Sequence, residues 1–129
     1  MRILLDSTVL IDYLRDRPVA DRVDALAASA DTPCTTAVNI EEVVRGLRSD
    51  EMLRADSLFE GLEVLPLGRQ EAWRAGTWRR SFSGQGVTLV QADCLVAAAA
   101  LISGAKLATG NPKDFPMPEV EVEHWPVGV

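Results

Sequence analysis

The chain has 129 residues, 47% hydrophobic and 25% charged, the balance of one ordinary globular domain over 1–129. No apolar run approaches the roughly 20 residues that cross a bilayer, and the opening run Ile3-Leu4-Leu5 stops at Asp6, so neither a membrane span nor a secretion signal is expected. A net charge of −6 argues against binding nucleic acid chiefly by neutralising phosphates, unless the acids gather around divalent cations that invert the local field.

The first strand is predicted at Arg2–Leu5, followed by helices at Val9–Arg15 and Pro18–Ala28. A second strand, Pro33–Thr36, leads into helices at Asn39–Arg48 and Asp50–Gly61. A third strand, Leu62–Leu67, precedes a long helix at Arg69–Ser83. After Ser83-Gly84-Gln85-Gly86 comes a nearly all-apolar helix, Leu89–Ser103, expected to be central and buried. The last strands are Lys106–Thr109 and Val120–Trp125, and four prolines from Pro112 to Pro126 keep the tail in short extended pieces. Short β-rich runs alternating with amphipathic stretches imply a parallel sheet with helices on both faces. Gly46, Gly61 and Gly104 are placed to end helices. Cys34 and Cys94, without metal-finger spacing, read as reduced core residues of a cytoplasmic protein.

Four acids carry the chemistry. Asp6 follows the first strand, Glu42 lies in the helix after the second, and Asp114 lies beyond the strand Lys106–Thr109. Asp93 opens the apolar helix, whose far end feeds that same strand. Ligands of an open parallel sheet collect at the carboxyl ends of its strands, where strand order reverses. Topology alone therefore gathers four carboxylates at one edge. Packed acids repel and resist burial, and divalent cations relieve both costs. Each acid also has a structural alternative. Asp6 could cap the first helix, Glu42 or its neighbour Glu41 could be solvated, Asp93 could favour a helix dipole, and Asp114 could serve a turn.

The segments ILLDSTVLIDYL, TTAVNIEEVVRGL and WRRSFSGQGVTLVQADCLVAAAALISGAKLATGNPKDF, in that order, resemble the motifs of PIN-domain nucleases, specifically VapC-type toxins. The resemblance implies Asp6, Glu42, Asp93 and Asp114 as metal-binding and catalytic acids, with the spacing to Gly46 selecting Glu42 over Glu41. Thr8 falls where the family has a hydroxyl that positions the site. In many members the fourth acid stands where this chain has Asn111, so either Asn111 or Asp114 completes the set. The fold implied is a three-layer α/β/α sandwich around a parallel sheet of four or five strands. The activity implied is Mg²⁺- or Mn²⁺-dependent endonucleolytic cleavage of RNA by water. The resemblance also implies a homodimer, neutralised by a VapB-like antitoxin through which operator DNA is bound.

Basic residues cluster at Arg69, Arg74, Arg79 and Arg80. The last two, just ahead of the loop to Asp93, are the candidate substrate contacts, and the others read as a solvated face. Trp73 and Trp78 do not share a helix face; core is the expected fate of each taken singly, the alternative being one in the core and the other at a dimer or antitoxin surface. Asp12 is expected at the surface or in a dimer contact. A single histidine, His124, supports no Ser–His or Cys–His pair, and a dehalogenase-type phosphatase would need an acid where Thr8 stands. The competing function is an inactive PIN-fold module that binds RNA or a protein partner; Asn111 favours it, and Asp6, Glu42 and Asp93 oppose it.

Overall fold

The computed structural model describes residues 1–128. In chain order the elements are β1 (Arg2–Leu5), α1 (Ser7–Leu14), α2 (Val19–Leu26), β2 (Thr32–Thr35), α3 (Ala37–Arg45), α4 (Met52–Glu60), β3 (Glu63–Val64), α5 (Arg69–Ser83), α6 (Gln91–Ser103), β4 (Lys106–Thr109) and β5 (Val122–His124). One-turn 3₁₀ segments at Ser49–Glu51 and Pro112–Asp114 precede α4 and follow β4.

All five strands run parallel in the order β3-β2-β1-β4-β5. Leu4 stands opposite both Cys34 and Leu107, so β1 is central and hydrogen-bonded on both edges. Period-2 alternation sends Leu4 to one face of the sheet and Ile3 and Leu5 to the other. Leu4, Cys34 and Leu107 pack with Ala75 and Trp78 of α5 and the buried alanines of α6. Ile3 and Leu5 pack with Val9, Leu10 and Leu14 of α1, Val19 and Val23 of α2, Val43 of α3 and Ala55 of α4. The result is the expected three-layer sandwich, and α6, with Cys94, Val96 and Ala97–Ala100 all buried, is its most enclosed helix. Among the described residues no helix is long and apolar enough to cross a membrane.

Strands β1 and β4 and helix α5 occupy the expected residues. Strand β3 is shorter, because Pro66 has no N–H to extend the ladder after Leu65 donates to the Thr35 carbonyl (2.8 Å). Helix α3 starts two residues early because Thr36 caps it, accepting from the Asn39 N–H (3.3 Å). Asp12 is not at the surface. It is 5% exposed, accepts from the Gly128 N–H and pairs with Arg17 at 3.4 Å, tying the C-terminal tail to α1. The surface expectation failed because one aspartate on an amphipathic helix carries no local sign of a distant partner. Trp78 is buried, but Trp73 is exposed, so the core expectation fails there: α5 turns that side of the helix away from the sheet.

Gly46, Gly61 and Gly104 all occupy C-cap positions, but only Gly104 is left-handed, at φ 69°. A side chain there strains against the following carbonyl. Gly104→Ala is therefore expected to cost about 1 kcal/mol in urea unfolding, whereas Gly61→Ala, at φ −85°, leaves stability equal or slightly higher.

Candidate active site

Strand order reverses between β1 and β4, which are neighbours in the sheet although most of the chain separates them. The Asp6 N–H donates to the Ala108 carbonyl (2.9 Å), so the carboxyl ends of β1 and β4 are locked side by side. Asp6 sits at the N-cap position of α1, yet its side chain makes no capping hydrogen bond. Its Oδ2 accepts instead from the hydroxyls of Thr109 (2.8 Å), at the end of β4, and of Thr8 (3.2 Å). Those hydroxyls are themselves held. Thr8 Oγ1 accepts from the Gly110 N–H and Thr109 Oγ1 from the Asn111 N–H, each at 3.0 Å. The buried carboxylate is thus oriented by two hydroxyls that the next strand's loop fixes in turn.

Glu42 and Glu41 part ways. Glu41 is exposed, while Glu42 is half-buried and accepts from the Ser7 hydroxyl at 2.7 Å. Ser7 Oγ in turn accepts from the Asn39 side-chain amide (3.0 Å), and the Thr36 hydroxyl donates to Asn39 Oδ1 (2.7 Å). This relay of buried polar groups links α1 to α3 and aims Glu42 at the β1 end. Thr35 Oγ1 is the buried side-chain polar atom left without a partner among the described residues, and it lies outside the relay.

Asp93, in the first turn of α6, is half-buried. Asp114 ends the 3₁₀ turn after β4, and its Oδ2 accepts from the Asn111 side-chain amide at 2.7 Å, so these two residues act as one unit. Burial pushes the Asp93 carboxyl up to about 6, and the charges of Asp114, Asp6 and Glu42 add to the effect. Burial likewise raises Asp6, against the pull of the Thr109 hydroxyl, the Ser7 N–H and the Thr8 hydroxyl, with Glu42 contributing repulsion. Asp114, Asp6 and Glu42 thus lie near enough to Asp93, at the β1/β4 edge, for their charges to raise it. Arg79 and Arg80 are exposed on α5 and line a hollow with Ser83, Thr88 and Leu89, just ahead of α6.

The donor set is all oxygen, which suits a hard divalent cation. Among the described residues no three His, Cys, Asp or Glu side chains are grouped so that together they could hold a metal ion. Mg²⁺ asks for less, using one or two carboxylates and keeping several waters. The residues present fit such an ion.

A profile of the PIN domain matches residues 3–117. This chain belongs to the PIN-domain family. It is 35% identical over 116 residues to Ribonuclease VapC10 of Mycobacterium tuberculosis, covering 89% of this chain and 86% of that protein. Ribonuclease VapC19 of the same species is 26% identical over 115 residues, covering 88% and 92%. These likenesses place this PIN domain in the VapC group. VapBC-1 from nontypeable Haemophilus influenzae superposes with a TM-score of 0.82 at 25% identity, covering 97% of this chain and 98% of that one. VapBC2 from Rickettsia felis, bound to a DNA fragment from the promoter, superposes with a TM-score of 0.84 at 20% identity, covering 97% and 99%. The latter speaks for the fold alone.

Sequence reasoning did not single out Ser7, Asn39, Thr36 or Thr109. The available signal was polar residues at strand ends next to the acids, which looks the same as ordinary helix capping.

A raised carboxyl means the folded state holds its proton more tightly than the unfolded one. Stability is then fullest below the ordinary carboxylate range and falls as pH rises toward about 6, the value for Asp93. In the metal-free protein, Asp93→Asn is expected to melt several degrees higher than the parent above pH 6, with the gap closing near pH 4. A gap that stays constant over that range would contradict the repulsion.

Proposed function

We propose that this PIN domain is a Mg²⁺- or Mn²⁺-dependent endoribonuclease, the toxin half of a type II toxin–antitoxin pair, acting in the cytoplasm. The observation that carries the reading is the pair Asp6 and Asp93 at the β1/β4 switch point, both raised by burial, with the charges of Asp114, Asp6 and Glu42 adding to the effect on Asp93 and that of Glu42 to the effect on Asp6. The names of the VapC relatives support the substrate class.

Asp6 and Asp93 are the ligands that would hold the ion, with Glu42 and the Asn111–Asp114 unit completing its surroundings. A bound divalent ion supplies Lewis-acid activation of the attacking water and neutralises charge on the phosphate. The chain's own residues do the positioning. Thr109 and Thr8 fix the Asp6 carboxylate, Ser7 and Asn39 fix Glu42, and Asn111 fixes Asp114. Arg79 and Arg80 stand beside the entrance to the Asp93 helix, where the phosphates of an RNA strand would meet them. Solved VapBC complexes support a VapB-like antitoxin as partner. We extend the reading to a homodimer that meets operator DNA only through that antitoxin.

Asp6→Asn and Asp93→Asn are each expected to abolish Mn²⁺-dependent cleavage of RNA while keeping a cooperative thermal transition. Full cleavage by either folded variant would overturn the assignment, and no cleavage by the wild type would favour the inactive module.

A further inference from the structure

The function proposed above uses only the last turn of α5, yet the whole outer face of that helix has an unusual composition. Helix α5 contains a single acid, Glu71, which is buried and accepts from the Gly68 N–H at 2.6 Å. Seven of the thirteen Lys and Arg side chains are ion-paired among the described residues; of the six that are not, Arg69, Arg79 and Arg80 lie on α5. An acidic protein thus concentrates half of its uncompensated positive charge on one helix.

At about 100° per residue, Arg69, Trp73 and Arg80 fall within a sector about 40° wide, opposite the buried Trp78 and Glu71. Trp73 is 74% exposed, the most exposed aromatic side chain among the described residues. It stands in a shallow groove with Arg69, Gln70, Arg74, Thr77 and Ile102. Arg74 forms a fixed wall there, held by Glu119 at 3.7 Å and stacked on Trp78. Between Trp73 and Arg80 the same line carries Gly76. A Cβ at Gly76 would meet nothing within 4 Å, so packing does not require a glycine that weakens a helix. Its effect is to leave the surface beside Trp73 open.

We propose that this outer line of α5 is a platform for single-stranded RNA, with a base stacked on Trp73 and backbone phosphates held by Arg69 and Arg80. The proposal rests on the ribonuclease reading and extends it to a track outside the acid cleft. Exposed aromatic rings flanked by arginines bind single strands without reading their sequence. The line runs into the hollow of Arg79, Arg80 and Leu89, and Asp93 lies four residues beyond Leu89, so a strand on α5 is led toward the acids. A second copy of this chain fits the face less well. A twofold contact would set this acid-free, arginine-rich line against its own duplicate.

The test uses the full chain in EDTA, where no cleavage intrudes, with a short fluorescein-labelled oligouridylate as probe. Trp73→Ala is expected to weaken binding about tenfold or more, and Trp73→Phe, which keeps an aromatic face, to retain most of it. Arg69→Ala and Arg80→Ala should each lower the slope of log Kd against log salt by about one. Sedimentation of every variant should match the wild type. Unchanged affinity in Trp73→Ala, equal loss in both Trp73 variants, or no binding by the wild type would overturn the platform. A change of oligomeric state that accompanies the loss would assign the face to contact between copies, and would overturn it too. Failure of the ribonuclease reading shows separately, as absent metal-dependent cleavage by a wild type that still binds RNA in EDTA.

Discussion

The burial of the Asp6 and Asp93 carboxyls at one sheet edge, beside the charges of Glu42 and Asp114, is the constraint around which this molecule is built. Left alone, such a cluster would spread apart or take up protons, because burial and like charge both oppose ionisation. Here the backbone removes the first escape. Asp6 is locked to β4 through the Ala108 carbonyl, Asp93 is set in the first turn of a buried helix, and Asp114 is tied to Asn111. What remains is a site whose charge, on the function proposed above, a divalent cation would relieve.

The supporting network explains why so many small polar residues are buried here. Thr36, Asn39, Ser7 and Thr109 are all buried, and each would be costly if unpaired. They are paired with one another and with the acids, so satisfying them also orients the carboxylates. Helices α1 and α3 follow different strands, and the Asn39–Ser7–Glu42 relay couples them through hydrogen bonds.

Much of this was legible in the sequence. Alternating short β-rich runs and longer amphipathic stretches implied the parallel sheet, and strand ends located Asp6 and Asp114 before any coordinates. The spacing of Trp73 and Trp78 left opposite fates open, and only Trp78 reached the core expected of each. The illegible parts depend on contacts between residues distant in the chain. Asp12 looked like surface because its partner, the Gly128 N–H, lies at the other end of the protein. Ser7 and Thr109 looked like capping and strand residues because their partners come from α3 and from β1. Helix boundaries shifted where a cap such as Thr36 outweighed the apolar period.

The sign of the net charge is accounted for in the same terms. Acids dominate overall, several are committed to the cleft, and the uncompensated arginines collect on α5 rather than around the whole surface. On the proposed reading an RNA phosphate would meet a positive helix and, with an ion bound, a positive pocket. Anomalous diffraction from crystals grown with Mn²⁺ tests that picture most directly. The account predicts a manganese peak bridged by the Asp6 and Asp93 carboxylates; a peak elsewhere, or none with those two side chains turned apart, would contradict it.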